Sequence, residues 1–259
     1  MLRPRIIPCL LVHEGGLVKT VKFRDPTYVG DPINAVRIFN EKESDELVVL
    51  DIDASANGVA PDFAMIADLA AECRMPLCYG GGITTVEQAK KIISLGVEKV
   101  ALSAAAVADP ALVTAISDAV GRQSTVVVID VRKRTFGGKY DVYTHNGTRK
   151  AGVNAIEFAQ AMEAAGAGEI VLNAIDRDGV MKGYDVALAR QLRAAVNIPI
   201  SILGGAGSLD DIEDLVREVG VLGAAAGSLF VFKGKYRAVL INYPQPAAKE
   251  ELVQRAMRR

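Results

Sequence analysis

The sequence is poor in the residues that would point to several common functions. Its three cysteines, Cys9, Cys73 and Cys78, form no C-x-x-C pair and have no histidine cluster beside them, which argues against a disulfide framework or a structural zinc site and for a reducing compartment. The two histidines, His13 and His145, are far apart in sequence, and no nucleotide-binding fingerprint is present. We therefore expect neither a metal nor a cofactor. Charge of one sign is also missing. Thirty Lys and Arg residues face 31 Asp and Glu, so there is no basic excess to neutralise a nucleic-acid backbone. No stretch reads as a signal peptide or a membrane span, and we expect a cytoplasmic protein with no membrane partner. Aromatics make up only 5% of the chain while half of it is hydrophobic, so the core must be aliphatic, as suits parallel strands buried on both faces.

Short apolar runs alternate with longer amphipathic stretches along all 259 residues. The expected strands are Arg5–Leu11, Glu46–Asp51, Pro76–Gly80, Lys99–Ser103, Thr125–Asp130, Glu169–Asn173, Pro199–Leu203 and Leu222–Ala226. Helical segments such as Thr85–Leu95 and Leu209–Val219 lie between them. Strands alternating with helices imply parallel pairing through right-handed crossovers. Eight of them in a chain of this length favour an α/β fold closed as a single (β/α)8 TIM barrel, with an open doubly wound sheet as the alternative.

An internal repeat supports closure. Asp45-Glu46-Leu47-Val48-Val49-Leu50-Asp51 parallels Gly168-Glu169-Ile170-Val171-Leu172-Asn173, and Gly80-Gly81-Gly82 parallels Gly204-Gly205, at an offset near 123 residues. No linker separates the copies, which predicts one domain over 1–259 made of half-barrels at about 1–120 and 121–259.

In such barrels the chemistry sits at the C-terminal ends of the strands. Glycines there (Gly81, Gly82, Gly204, Gly205) let backbone N–H groups approach a ligand, and Ser103-Ala104 and Gly227-Ser228 end neighbouring strands at helical turns. Two symmetric clusters of this kind imply an elongated ligand with a phosphate at each end. Asp130 closes the run Val126-Val127-Val128-Ile129-Asp130, where a carboxylate is costly unless it faces a polar mouth, so it is a candidate acid or base. Asp51 and Asp53 point the same way less strongly, and Asp176 could bind ligand hydroxyls or only shape its loop. Arg5, Glu46, Lys99 and Glu169 begin strands at the opposite end, either as a salt-bridged ring across the axis or as four separate surface charges. The segment Val131–Gly152, with Phe136-Gly137-Gly138 and Asn146-Gly147, reads as an inserted β-hairpin, and Ala247–Arg258 as a last helix.

The chain resembles the HisF family, the cyclase subunits of imidazole glycerol phosphate synthase. The likeness rests on Arg5-Ile6-Ile7-Pro8-Cys9-Leu10, Gly30-Asp31-Pro32, Asp45-Glu46-Leu47, Gly80-Gly81-Gly82-Ile83, Ala174-Ile175-Asp176-Arg177-Asp178-Gly179 and Gly204-Gly205-Ala206-Gly207. The resemblance implies a HisH-like glutaminase partner whose ammonia enters at the bottom of the barrel and passes a gate of Arg5, Glu46, Lys99 and Glu169. It also implies a mobile-loop lysine at Lys19, a catalytic aspartate at Asp130, and phosphate contacts at Gly82, Ser103, Gly205, Gly227 and Ser228. The family's other catalytic aspartate would fall at position 11, where this chain has Leu11 in Cys9-Leu10-Leu11-Val12-His13-Glu14. The family's Asn-Thr phosphate pair is Ser103-Ala104 here.

A leucine transfers no proton. A retained gate beside a broken acid resembles the HisF-like proteins of acetamidino-sugar synthesis (the WbuZ/AglZ group). The opening Leu2-Arg3-Pro4-Arg5 and the run Gly15-Gly16-Leu17-Val18-Lys19-Thr20-Val21 are similar to that group as well. Such a protein is expected to pass ammonia from its glutaminase toward a sugar amidotransferase. The other readings are a true cyclase in which Asp51, His13 or Glu14 covers for position 11, and a non-catalytic scaffold that activates a glutaminase.

Overall fold

Eight aliphatic runs form eight parallel strands, and the eighth pairs with the first. In the computed structural model, which describes residues 3–135 and 137–258, these are β1 (Arg5–His13), β2 (Leu47–Asp51), β3 (Leu77–Gly80), β4 (Lys99–Leu102), β5 (Thr125–Lys133), β6 (Glu169–Ala174), β7 (Ile200–Leu203) and β8 (Gly223–Ala226). Every neighbouring pair is parallel, and the register Arg5↔Gly223 through Pro8↔Ala226 closes the ring. The fold is a single (β/α)8 TIM barrel. Leu2 and Phe136, which belong to motifs quoted above, lie outside the described residues.

Eight main helices clothe the barrel: α1 (Pro32–Glu41), α2 (Phe63–Glu72), α3 (Val86–Ser94), α4 (Pro110–Val120), α5 (Ala155–Ala164), α6 (Val186–Ala195), α7 (Leu209–Val219) and α8 (Pro246–Met257). Their starts follow from the sequence. Thr85 and Ser208 each accept from the third helical N–H and close a capping box on α3 and α7, and Asp31 and Asp109 cap helices that begin with proline.

Strand pleating divides the core in two. On β5, Val127 and Ile129 face outward into the large cluster shared with the helices. Val126 and Val128 face inward, with Ile7, Cys9, Val48, Cys78, Ala101, Val171, Leu203 and Ala225. Among the described residues the inward-facing cluster is thus a narrow apolar column, with charged and polar groups toward its two ends.

Two excursions cover the upper face. After β1 the chain makes an antiparallel ribbon, Gly16–Val21 with Arg24–Gly30, and β1 itself runs on to His13 because Leu11, Val12 and His13 pair with Val18, Leu17 and Gly16. Our expected strand end at Leu11, with His13 beyond it, was too short, since the ribbon supplies a second edge for those residues. After β5, strands Tyr140–Thr144 and Arg149–Asn154 form the expected hairpin, turning at His145, Asn146 and Gly147, all with positive φ. No helix among the described residues is long and apolar enough to cross a membrane.

Candidate active site

The bottom of the lumen is closed by charge. Glu46 accepts from Arg5 and, at 2.8 Å, from Lys99 Nζ; Glu169 accepts from Arg5 at 2.7 Å and Lys99 at 3.0 Å. The four residues that the sequence left open as a ring or as scattered charges therefore meet, two anions alternating with two cations. Ser201 is a fifth member that sequence reasoning missed, its Oγ donating to Glu169 at 2.6 Å. Its only signal was one hydroxyl inside the apolar run Ile198–Leu203. Burial pushes the Glu169 carboxyl up, but Arg5 and Lys99 outweigh it and hold the group at about 2. Burial likewise opposes the Lys99 charge, and the two glutamates more than restore it.

Immediately above the ring lies a void of about 10 Å³, bounded below by Glu46 and Glu169 and above by Cys9, Leu203 and Ala225. It is close to the least volume that holds one water-sized molecule, roughly 10–15 Å³. Cys9 and Leu203 also line the next space up, a chamber of about 240 Å³ beneath the ribbon.

The chamber gathers Lys19, Asp130, Gly204, Gly205, Gly227 and Ser228 from the expected site. A second cavity of about 90 Å³ gathers Asp51, Gly81, Gly82, Ser103 and Ala104, and Asp130 borders both. Only glycine fits at Gly81, where φ is +127° and a Cβ would stand 2.5 Å from the Asp51 carbonyl oxygen.

Asp130 is half-buried between Asn173, which donates to it at 2.9 Å, and Ser103 at 3.5 Å. Desolvation dominates, and with Asp178 nearby it raises the carboxyl to about 7 against the hydrogen bonds from Asn173 and Ser103. Leu11, Leu50 and Leu203 line the chamber with it, so position 11 presents a hydrocarbon to the same space as Asp130.

Three expected site residues stand differently from our reading. Lys19 lies on a strand, 5% exposed, and its Nζ donates to the Cys9 carbonyl at 2.5 Å against Gly227. Burial lowers its pKa. Asp51 shares the outward parity of Leu47 and Val49. Its carboxylate accepts from the N–H groups of Asp53 and Ala54, which places it beside the glycine loop and outside the chamber. Asp176 accepts from the Lys133 N–H at 3.0 Å and lines neither cavity; the turn Ile175–Arg177 brings Asp178 to the chamber instead. Among the described residues, no three His, Cys, Asp or Glu side chains are grouped to hold a metal.

Asp178 also pins the ribbon. Thr20 Oγ1 donates to it at 2.7 Å and the Phe23 N–H at 3.2 Å, while the Asp178 carbonyl accepts from Lys22 N–H. Asp178→Ala is expected to release the ribbon at a cost of about 1–3 kcal/mol. Amide exchange over residues 17–24 should quicken several-fold while barrel strands stay protected, and unchanged exchange there would exclude the latch.

The sequence profile described as "Histidine biosynthesis protein" matches residues 5–237. A Vibrio vulnificus protein named "Putative imidazole glycerol phosphate synthase subunit hisF3" is 59% identical over 254 residues, 98% of each chain. A Pseudomonas aeruginosa protein named "Putative imidazole glycerol phosphate synthase subunit hisF2" is 57% identical over 244 residues, 94% of this chain and 97% of that one. The "Imidazole glycerol phosphate synthase subunit HisF" of Hyphomonas neptunium is 44% identical over 232 residues, 90% and 91% of the two chains.

Proposed function

The chain belongs to the histidine biosynthesis protein family, among relatives of imidazole glycerol phosphate synthase subunit HisF, and on that premise we propose that it delivers ammonia for sugar amidination. In this reading a HisH-like glutaminase docks at the bottom of the barrel. Ammonia passes the Arg5–Glu46–Lys99–Glu169 ring and the void above it, and leaves the chamber toward a sugar amidotransferase. That enzyme turns an N-acetyl group into an acetamidino group on a surface-polysaccharide or glycan sugar.

The observation that carries the proposal is Leu11 in the upper chamber together with an intact four-residue ion ring at the base of the barrel. Cyclisation of a ribonucleotide needs protons placed on both sides of the reacting atoms, and a proton-transfer group typically contributes a factor on the order of 10²–10⁴. Asp130 remains for one side only. His13 also lines the chamber, and its Nδ1 contact with Asp53 at 2.7 Å leaves Nε2 to exchange a proton, so it is the residue that the cyclase reading would call on. Passing ammonia needs only a gate and an apolar lumen, and the ion ring and the apolar column above it support that reading. We read the two glycine loops, with Ser103-Ala104 and Gly227-Ser228, as grips for a phosphorylated small molecule, and the chain as two half-barrels at about 1–120 and 121–259, each supplying one grip. A second reading, cyclisation in histidine biosynthesis, is favoured by the name of the Hyphomonas relative.

The lumen gives the test. In the complex with glutaminase and amidotransferase, Ala225→Leu fills the void with methyl groups. Glutamine-driven amidination should fall about 10-fold or more, as a passage barrier raised by about 1.4 kcal/mol would give. Amidination driven by added ammonium should be unchanged. Equal loss from both nitrogen sources, or loss from neither, would rule out transport through the barrel.

A further inference from the structure

Asp130 and Asn173 are register partners on β5 and β6 and continue two inward-facing columns, Val126-Val128-Asp130 and Glu169-Val171-Asn173. They are the polar groups that a small molecule rising along these two strands meets after the gate, past Val128 and Val171. Asn173 is 5% exposed and lines the chamber. Its Nδ2 is committed to Asp130 Oδ1, which leaves Oδ1 of the amide buried with no hydrogen-bond partner among the described residues. A buried acceptor without a donor costs about 1–3 kcal/mol. Asp130 Oδ2 is also lightly held, with Ser103 at 3.5 Å its one partner among the described residues. Both residues line one space that opens from an apolar lumen and is walled by Leu11, Leu50 and Leu203, so the two lightly held oxygens lie at its edge. What fits is a molecule of about water size with several N–H groups and little need of acceptors from the walls.

We propose that Asp130 and Asn173 form a holding site for ammonia at the top of the lumen, an inference that rests on the ammonia-delivery reading. Ammonia arriving beside the protonated Asp130 carboxyl takes its proton and is held as ammonium, one N–H to Asp130 Oδ2 and another to Asn173 Oδ1. On departure the nitrogen returns that proton to Oδ2 and leaves as ammonia with its lone pair free, so no proton is gained or lost over the cycle. The other groups facing Asp130 fit a cation there. Asp178 lies across the chamber, His13 is paired with Asp53, and Lys19, the nearby cation, is turned onto the Cys9 carbonyl. His145 stands in the second cavity, where it meets Thr144 and Arg149. Asn173 is a positioning residue for Asp130 as well as a ligand for the held nitrogen.

The test uses the barrel alone with ammonium chloride as the probe. The Asp130 carboxyl carbon is followed by NMR through a pH titration in ammonium chloride and in sodium chloride of equal ionic strength, with Asp130→Asn giving the assignment. Ammonium at ten times its dissociation constant should lower the Asp130 midpoint by about one unit, since it binds the ionised form. Asn173→Leu should remove most of that difference, and Asn173→Ser, which keeps an acceptor, should retain part of it. Equal midpoints for the wild type in the two salts would overturn the site whatever the variants do. An undiminished ammonium effect in folded Asn173→Leu would remove Asn173 from it. Glutamine-driven transfer is measured separately, so loss of the holding site leaves the delivery reading to its own experiment.

Discussion

Glu169→Ala should lose about 3–5 kcal/mol of unfolding free energy at pH 7, the usual cost of taking one partner from a buried ion cluster. Glu169 is 4% exposed and receives Arg5, Lys99 and Ser201 together. Without it two cations share Glu46 alone at the base of an apolar lumen. The same carboxylate makes an acid-limb prediction. Its folded pKa, about 2, is below the ordinary 4.5, so its contribution is complete above about 4.5 and disappears as pH falls toward 2. Urea midpoints between pH 2 and 7 should fall on that limb in the wild type and be flatter in Glu169→Ala. A variant within about 0.5 kcal/mol of the wild type would mean that the ring is no more than a set of surface pairs.

Asp130→Asn should act in the opposite direction. Here the folded pKa, about 7, is above the ordinary 3.8, so the native state binds the extra proton. Its penalty is absent below about pH 4, grows as pH rises and is complete above about 7. The Asn variant lacks this charge to desolvate and keeps the volume. It should be more stable than the wild type by roughly 2–4 kcal/mol at pH 8, with the difference closing by pH 4. Parallel stability curves for the two proteins would show that the chamber does not desolvate Asp130.

Position in the barrel was legible in the sequence where it depended on strand parity and repeat. Arg5, Glu46, Lys99 and Glu169 each precede an inward-facing apolar residue by two positions, so closure of the ring brings them together. Gly81 and Gly205 follow strands whose ends the repeat at an offset near 123 residues already marked. What escaped depended on groups far away in the chain. The resemblance implied a mobile loop at Lys19, whereas its strand forms by pairing with β1 and with Arg24–Gly30, Lys19 opposite Thr27, and by the hold of Asp178 on Thr20, 158 residues away. Asp176 and Asp178 look interchangeable in Asp176-Arg177-Asp178-Gly179 until the turn Ile175–Arg177 decides which one faces the chamber. Asn173 and Ser201 were missed for a simpler reason. Each is a single neutral polar residue in an apolar strand, and its value lies in the charged neighbour that folding gives it.

The most direct test of the central claim is consumption of the HisF bisphosphate ribonucleotide by the purified barrel with excess ammonium, measured beside Leu11→Asp. Ammonium bypasses the glutaminase and the gate, so the assay isolates the chemistry at the chamber. The wild type should run roughly 10²–10⁴-fold or more below an authentic HisF, the loss expected for a missing proton-transfer group, and Leu11→Asp should recover part of it. Wild-type turnover at a rate comparable with an authentic HisF would instead make this chain a cyclase that finds its second acid elsewhere.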